Sequence, residues 1–115
     1  MGYGSSDNKY SFTSLDSSYY RTNGIAGTHY YYYTIGKIAF VLINMYCTTP
    51  SNDIWRLFAT GAPKARYPNQ TFSTSGQTNG ATGPSIYIDE NGHIFAAGGS
   101  AGTYYYATCV YEWTS

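Results

Sequence analysis

The chain has 115 residues, of which only 10% are charged, and its six basic and six acidic side chains cancel. This length suits one domain with a modest core. The absence of net positive charge argues against nucleic-acid binding, and the absence of an 18-residue apolar run argues against a membrane span. Aromatic residues reach 19%, with 15 tyrosines, and because Tyr and Thr favour strands while Gly and Asn favour turns, this composition predicts an all-β protein.

Residues 1–29 form a polar segment that is rich in Gly, Ser and Asn. Its alternating residues 10–15 predict an edge strand. Asn23-Gly24 is a strong turn signal, since both residues tolerate positive φ, and it predicts that residues 17–21 pair with residues 25–33. We expect the main domain to span residues 30–115, within a single domain overall.

The most apolar stretch is YYYYTIGKIAFVLINMYC, at residues 30–47. From Thr34 onward, both alternating sets of side chains are mostly apolar, which predicts a central strand that ends near Thr48 and is covered on both faces. A buried helix is the alternative, because the run is long enough for one. Gly36, the β-branched residues and the flanking turn residues favour the strand.

The next segment alternates between turns and short strands. Residues 49–53 (TPSND) are typical of a turn, and residues 54–59 predict a short apolar strand. Pro63 and Pro68 then exclude a regular central strand. Residues 70–75 predict another strand, and the Gly-rich residues after it predict an exposed loop.

The clearest local signal is a hairpin at residues 85–97, where two alternating runs flank Asn91-Gly92. Residues 103–113 predict the last strand. About seven or eight strands at this spacing indicate an antiparallel β-sandwich or jelly-roll-like domain.

The cysteines and histidines give little sign of a metal or cofactor site. Cys47 and Cys109 stand alone in a chain of this size, which favours buried free thiols, with a disulfide as the alternative. His29 and His93 are isolated, and no Cys or His pair has the spacing of metal ligands. We therefore expect neither a metal nor a cofactor.

Four motifs follow one another in the second part of the chain. They are the apolar residues 40–44, residues 55–60 leading into the segment APKARYP at residues 62–68, the hairpin at residues 86–94, and the Tyr-rich residues 104–111. In these motifs, residues 32–113 resemble the C-terminal receptor-binding head domains of tail fibre and baseplate proteins from phages of Gram-positive bacteria. The chain differs from the usual pattern by having Ala62 in place of Leu and by Tyr67 inserted before Pro68.

The resemblance implies a β-sandwich or jelly-roll head that forms a homotrimer, joined to the rest of the tail fibre or baseplate. It places the protein at the tail tip of the virion, where it would adhere non-covalently to a saccharide of the host cell surface. Two alternatives remain: a structural tip or trimerisation module, and a monomeric carbohydrate-binding module. Exposed aromatic side chains on a weakly charged domain are compatible with self-association.

A sugar presents apolar C–H faces ringed by hydroxyls, so its site needs aromatic platforms beside amide, carboxylate or guanidinium groups. The first candidate cluster has Trp55 stacking on a sugar ring while Asp53 and Arg56 bond its hydroxyls. The alternative is that Trp55 belongs to the core or to a subunit interface, with Arg56 a plain surface charge.

The second group of candidates lies in loops, which carry function more often than strands. Arg66, Tyr67 and Asn69 belong to the Pro-bracketed loop, and His93 follows the Asn-Gly turn. Alternatively, Arg66 bonds backbone carbonyls and so maintains the shape of its loop, and His93 is merely solvated.

The tyrosine runs at residues 30–33 and 104–106 place aromatic rings on both faces of their strands. We therefore expect each run to have a core-facing member and an outward-facing member. The outward rings would contact either a ligand or neighbouring subunits.

The sequence predicts a non-enzyme. The only adjacent acidic pair is Asp89-Glu90, and on a strand these side chains would point to opposite faces, which does not suit a two-carboxylate glycosidase. The sequence shows no nucleophile elbow, phosphate-binding Gly motif or metal-ligand spacing.

Overall fold

The computed structural model describes residues 12–15, 18–22, 29–76 and 82–115, and this part of the chain is all-β. It contains ten strands. In chain order they are β1 (Thr13–Ser14), β2 (Tyr20–Arg21), β3 (His29–Ile35), β4 (Ile38–Cys47), β5 (Ser51–Thr60), β6 (Lys64–Ala65), β7 (Thr71–Gly76), β8 (Thr82–Ile88), β9 (Ile94–Gly98) and β10 (Thr103–Thr114).

The strands follow the order β1-β5-β9-β8-β7-β10-β4-β2, with β3 added beside β4 and β6 beside β10. Every pairing is antiparallel, and the sheet is nearly closed into a barrel. The predicted all-β antiparallel class is confirmed. Seven strands are at least five residues long, and the other three have two residues each. No helix in the described ranges could cross a membrane.

Tyr20, from the N-terminal part of the chain, contributes its side chain to the core of the barrel. Its ring is fully buried and lies 5.6 Å from the ring of Phe58 on β5. Its hydroxyl donates a hydrogen bond to the Gly98 carbonyl at 2.7 Å and lies 3.0 Å from the Ser51 hydroxyl. Part of the polar N-terminal segment therefore belongs to the common core.

The structure describes only part of the pairing predicted across Asn23-Gly24. Tyr20 and Arg21 pair with Cys47 and Tyr46 of β4, and residues 29–33 also pair with β4. The buried Tyr20 ring is stabilised by contact with the barrel interior. The turn residues 23–28 lie outside the described ranges. The edge strand predicted at residues 10–15 is seen as β1, which pairs with β5.

The strand predicted from Thr34 onward is divided by a tight turn. β3 ends at Ile35, β4 begins at Ile38, and Gly36 between them has a φ of 58°. Glycine adopts this left-handed conformation without the clash that a Cβ would cause, so the chain reverses and the two strands pair. The choice of strand over helix is confirmed, but the prediction of one continuous strand is wrong.

One face of β4 is fully buried, and the other face is half-buried apart from exposed Ile38. The buried face carries Ala39, Val41, Ile43, Met45 and Cys47. The opposite face is covered in part by neighbours in the same sheet, such as the Tyr33 ring stacked 5.2 Å from Phe40. The prediction that β4 is covered on both faces therefore holds fully for one face only.

The predicted hairpin around Asn91-Gly92 is confirmed, with Ser85 opposite Ala97 and Ile88 opposite Ile94. Gly92 has a φ of 77°. β5 begins at Ser51, so the turn predicted at residues 49–53 is shorter than expected.

Cys47 and Cys109 are buried free thiols, as predicted. Burial raises the pKa of Cys47 to about 11 and that of Cys109 to about 12, because a low-dielectric interior disfavours the charged thiolate. Both residues therefore contribute to the core as small apolar side chains.

Candidate functional site

An open cleft of about 440 Å³ lies on the outside of the β5-β9-β8-β7 part of the sheet. It is lined by Trp55, Pro68, Asn69, Thr71, Tyr87, Asp89 and Glu90. These residues come from three strands, from the loop between β6 and β7, and from the turn between β8 and β9.

The alternation of β8 places Tyr87 in the cleft. Ile86 and Ile88 are buried in the core, so the side chain between them points to the outer face. Phe95 of β9 lies directly opposite Tyr87, and the two rings stack with centroids 4.6 Å apart and planes within 10°. Phe95 thus covers one face of the Tyr87 ring.

Trp55 completes the aromatic part of the cleft. Its ring meets the Tyr87 ring edge-on at 4.8 Å, with an interplanar angle of 80°, and the side chain is 40% exposed. The β5–β9 register shifts between Ser51 and Arg56, and such irregularities re-aim side chains from the regular ladder. We call the Trp55 and Tyr87 rings the aromatic platform.

The turn between β8 and β9 places two carboxylates beside this platform. Asp89 Oδ1 accepts hydrogen bonds from the backbone N–H groups of Asn91 and His93, both at 2.9 Å. These bonds fix the turn, as Asp side chains commonly do. The exposed Glu90 side chain has no hydrogen bond or ion pair within the described ranges.

The charge in the cleft is negative. Burial raises the pKa of the Tyr87 hydroxyl, and the nearby charges of Asp89 and Glu90 raise it further. None of the lining residues named above is basic. The cleft therefore combines aromatic surface with amide, hydroxyl and carboxylate groups, the combination that a polyhydroxylated ring requires. Its volume is within the ~300–1,000 Å³ usual for small-molecule sites.

Of the predicted ligand-binding residues whose side chains the structure describes, Trp55 and Asn69 line this cleft. Arg56, predicted to act beside Trp55, is directed elsewhere, since its guanidinium lies 4.2 Å from the centre of the Tyr19 ring. The side chain of Asp53 lies outside the described part of the structure. The exposure of Trp55 shows that the alternative of a core residue is wrong.

Arg66 and Tyr67 lie apart from this cleft. Arg66 Nε is 3.1 Å from the Tyr67 hydroxyl and 3.4 Å from Glu112 Oε2. Arg66 also lines a separate cleft of about 190 Å³, together with Lys37 and Trp113. These contacts are to side chains, whereas the alternative predicted that Arg66 bonds backbone carbonyls of its loop.

His93 does not line the cleft either. The Nδ1 atom of His93 is 3.8 Å from Asp89 Oδ2. His93 therefore contacts a residue of the cleft without lining the cleft itself.

The site includes residues that sequence reasoning missed, namely Pro68, Thr71, Tyr87, Asp89 and Glu90. The prediction that Asp89 and Glu90 point to opposite faces of a strand is wrong, because β8 ends at Ile88 and both residues belong to the turn. An Asp two residues before Asn-Gly is a signal for a side-chain-bonded turn, and it could have placed both carboxylates at the hairpin tip.

A second feature is the tyrosine-rich outer surface of β3, β4 and β10. It includes Tyr33, Phe40, Leu42, Tyr46, Tyr104, Tyr106 and Val110, which we call the outer sheet face. Tyr46 and Tyr104 contact each other at 4.9 Å, and Tyr106 and Val110 are each 48% exposed.

Both tyrosine runs divide between the two faces, as predicted. Tyr105 is fully buried while Tyr106 is exposed. In the first run, Tyr32 packs against the core and Tyr33 lies against Phe40 on the outer sheet face.

Comparison with protein-family models, curated proteins and solved structures finds no match for this chain. Within the described ranges, no group of three or more His, Cys, Asp or Glu side chains could hold a metal ion. Function must therefore be inferred from the geometry of the cleft and of the outer sheet face.

Proposed function

We propose that this chain is the receptor-binding head domain of a phage tail protein, which adheres non-covalently to a bacterial surface saccharide. The observation that carries the binding proposal is the cleft in which Trp55 and Tyr87 stand beside Asn69 and two carboxylates. A sugar ring packs an apolar face on an aromatic ring while its hydroxyls bond the polar rim.

The phage assignment rests on the sequence resemblance of residues 32–113. The location at the virion tail tip, the attachment to the rest of a tail fibre or baseplate, and the action at the host cell surface all belong to this proposal.

The arrangement of the carboxylates supports binding rather than bond cleavage. A typical glycosidase uses two carboxyl groups that flank the scissile bond. Asp89 and Glu90 instead come from adjacent residues of one turn, and Asp89 Oδ1 already accepts two backbone hydrogen bonds. We therefore propose a ligand that is held and released unchanged.

Tryptophan fluorescence tests whether the saccharide binds in this cleft. Trp55 and Trp113 are the only tryptophans, and Trp113 lies at the other cleft, where its Nε1 donates to the Gly36 carbonyl at 2.9 Å. We expect host cell-wall polysaccharide to change the emission of the Trp113→Phe variant, in which Trp55 is the only reporter.

The matched variant, Trp55→Phe, retains only Trp113 and should show little change at the same ligand concentrations. A change confined to the Trp55→Phe variant would move the binding site away from the proposed cleft. Failure of host polysaccharides to bind the wild-type chain would overturn the proposed function.

We also propose that the chain forms a homotrimer in which copies meet through the outer sheet face. Tyr106 and Val110 leave apolar surface open there, and the charged Glu112, at the end of the same side of β10, is paired with Arg66. A neutral apolar partner surface suits it best, and a second copy of a chain with zero net charge supplies one.

The size of the face sets how much of the interface it can supply. Strands about 4.8 Å apart that rise about 3.3 Å per residue give three strands roughly 400 Å² in projection. In a trimer each copy contacts two neighbours, so reaching the ~1,000 Å² of a specific interface requires further surface beside this face.

Light scattering on a sizing column tests the assembly. We expect a mass about three times the 12.7 kDa of one chain, and we expect Tyr106→Lys/Val110→Lys to be monomeric, because burying two ammonium groups in this face is costly. Ser73→Lys, at an exposed position of β7, is the control and should remain trimeric.

The same measurement separates the alternative functions. A wild-type monomer that binds saccharide would support the carbohydrate-binding module and overturn the trimer. A trimer that binds no saccharide would support a structural tip or trimerisation module. A trimer that survives both lysine substitutions would place the interface elsewhere.

A further inference from the structure

We infer that the cleft selects saccharides that carry a free ammonium group, as in an amino sugar, over the same saccharide in N-acetylated form and over acidic saccharides. This inference rests on the proposed saccharide-binding function and adds the chemical class of the ligand. It comes from the charges around the aromatic platform.

The cleft has negative charge without a compensating cation among its lining residues. Asp89 and Glu90 are its two charged residues. Of the basic side chains nearby in sequence, Arg56 lies over Tyr19, and Arg66 is paired with Glu112. His93 faces Asp89 Oδ2 at 3.8 Å.

Glu90 is the carboxylate that remains available for a ligand. Asp89 Oδ1 accepts the N–H groups of Asn91 and His93, and its other oxygen faces the His93 ring. The exposed Glu90 side chain has no such partner within the described ranges. A ligand cation beside Glu90 would therefore gain an ion pair without displacing an existing one.

The aromatic platform favours the same ligand chemistry. A cation near the face of Trp or Tyr is attracted by the negative charge of the ring face, and an ammonium group offers three N–H donors to the carboxylate. An acetamide group is neutral, so it loses the charge–charge attraction. A carboxylate on the sugar would be repelled by Asp89 and Glu90.

The test compares three immobilised oligosaccharides of equal length: β-1,4-linked glucosamine, its fully N-acetylated form, and a galacturonic acid oligomer. The comparison is made at about pH 6, where the amine of the ligand keeps its proton. We expect the free-amine oligomer to bind at least about fivefold more tightly than the acetylated one, the factor expected from an exposed ion pair with a cation–π contact. The galacturonic acid oligomer should bind most weakly.

The decisive variant is Glu90→Gln, which removes one charge while keeping the shape of the side chain. We expect it to bring the affinities for the free-amine and acetylated oligomers to within about twofold of each other. Glu112→Gln is the matched control, because Glu112 pairs with Arg66 away from the cleft, and it should keep the fivefold preference.

The outcomes separate this inference from the function on which it rests. The proposed selectivity would be contradicted if the wild-type chain bound the free-amine and acetylated oligomers equally, or if Glu90→Gln kept the preference. Neither result would contradict saccharide binding itself. Lack of binding to these oligomers and to host cell-wall polysaccharide would overturn both.

Discussion

Replacement of Trp55 by Ala should weaken saccharide binding by about 30-fold or more, the loss typical of an aromatic anchor in a binding site. Trp55 forms one wall of the cleft, and its ring packs edge-on against Tyr87 at 4.8 Å. Removal of the indole deletes a contact surface for the sugar and also leaves the Tyr87 ring less well supported. Isothermal titration with host cell-wall saccharide measures the change.

Two observations control this experiment. The side chain of Trp55 is 40% exposed, so we expect the variant to fold and to keep its oligomeric state. Tyr67→Ala removes an aromatic ring that is 56% exposed and lies outside the cleft, and it should bind normally. An affinity of Trp55→Ala within threefold of the wild type would contradict the assignment, and a monomeric variant would move Trp55 to the subunit interface.

Replacement of Gly92 by Ala should strongly destabilise the fold. Gly92 has a φ of 77°, and an added Cβ would lie 2.1 Å from the carbonyl oxygen of Ala62. The left-handed conformation alone costs about 1–2 kcal/mol for an alanine. The turn must also shift away from Ala62, which threatens the hydrogen bond from the Ala62 N–H to the Gly92 carbonyl at 3.1 Å, worth about 1 kcal/mol.

We therefore expect Gly92→Ala to lower the free energy of unfolding by about 3 kcal/mol, a large part of the ~5–15 kcal/mol of a typical domain. Urea unfolding of the purified chain measures this loss. Gly36→Ala is the matched control, because Gly36 also has a positive φ, of 58°, but an added Cβ there meets no atom within 4 Å. It should cost only about 1 kcal/mol. Equal losses in the two variants would show that the contact with Ala62 is unimportant.

The alternation of side chains predicted the elements that depend on local chemistry. The hairpin at Asn91-Gly92 is confirmed, because an Asn-Gly turn needs only the backbone freedom of its own residues. The all-β class followed in the same way from residues that fit a pleated surface. The buried free thiols are also confirmed.

Predictions that required knowledge of distant partners were less successful. Gly36 looked compatible with a continuous strand, yet its left-handed φ reverses the chain, and β3 pairs along β4. Tyr20 is buried against Phe58 of β5 and pairs with β4, contacts that the polar character of its segment did not indicate. The turn at Gly36 depends on the backbone freedom of glycine, and the position of Tyr20 depends on the burial of its ring.

The candidate site also has one part that the sequence predicted and another part that it did not. Trp55 was predicted from its chemistry, since an aromatic ring near polar residues is the basic requirement of a saccharide site. Its true neighbour Tyr87 is on β8, and the two rings meet because β9 lies between their strands and supports Tyr87 with Phe95. Arg56, adjacent in sequence, is directed to a different partner, Tyr19.

By itself, then, the sequence determined the all-β class, the hairpin at Asn91-Gly92, the division of the tyrosine runs between two faces and the aromatic character of the site. These properties depend on backbone preferences and on the two-residue period of a strand. Only the tertiary structure decided that Trp55, Asn69 and Glu90 share one cleft, because they come from three separate segments. Their proximity depends on the strand order of the barrel, which alternation along the chain does not encode.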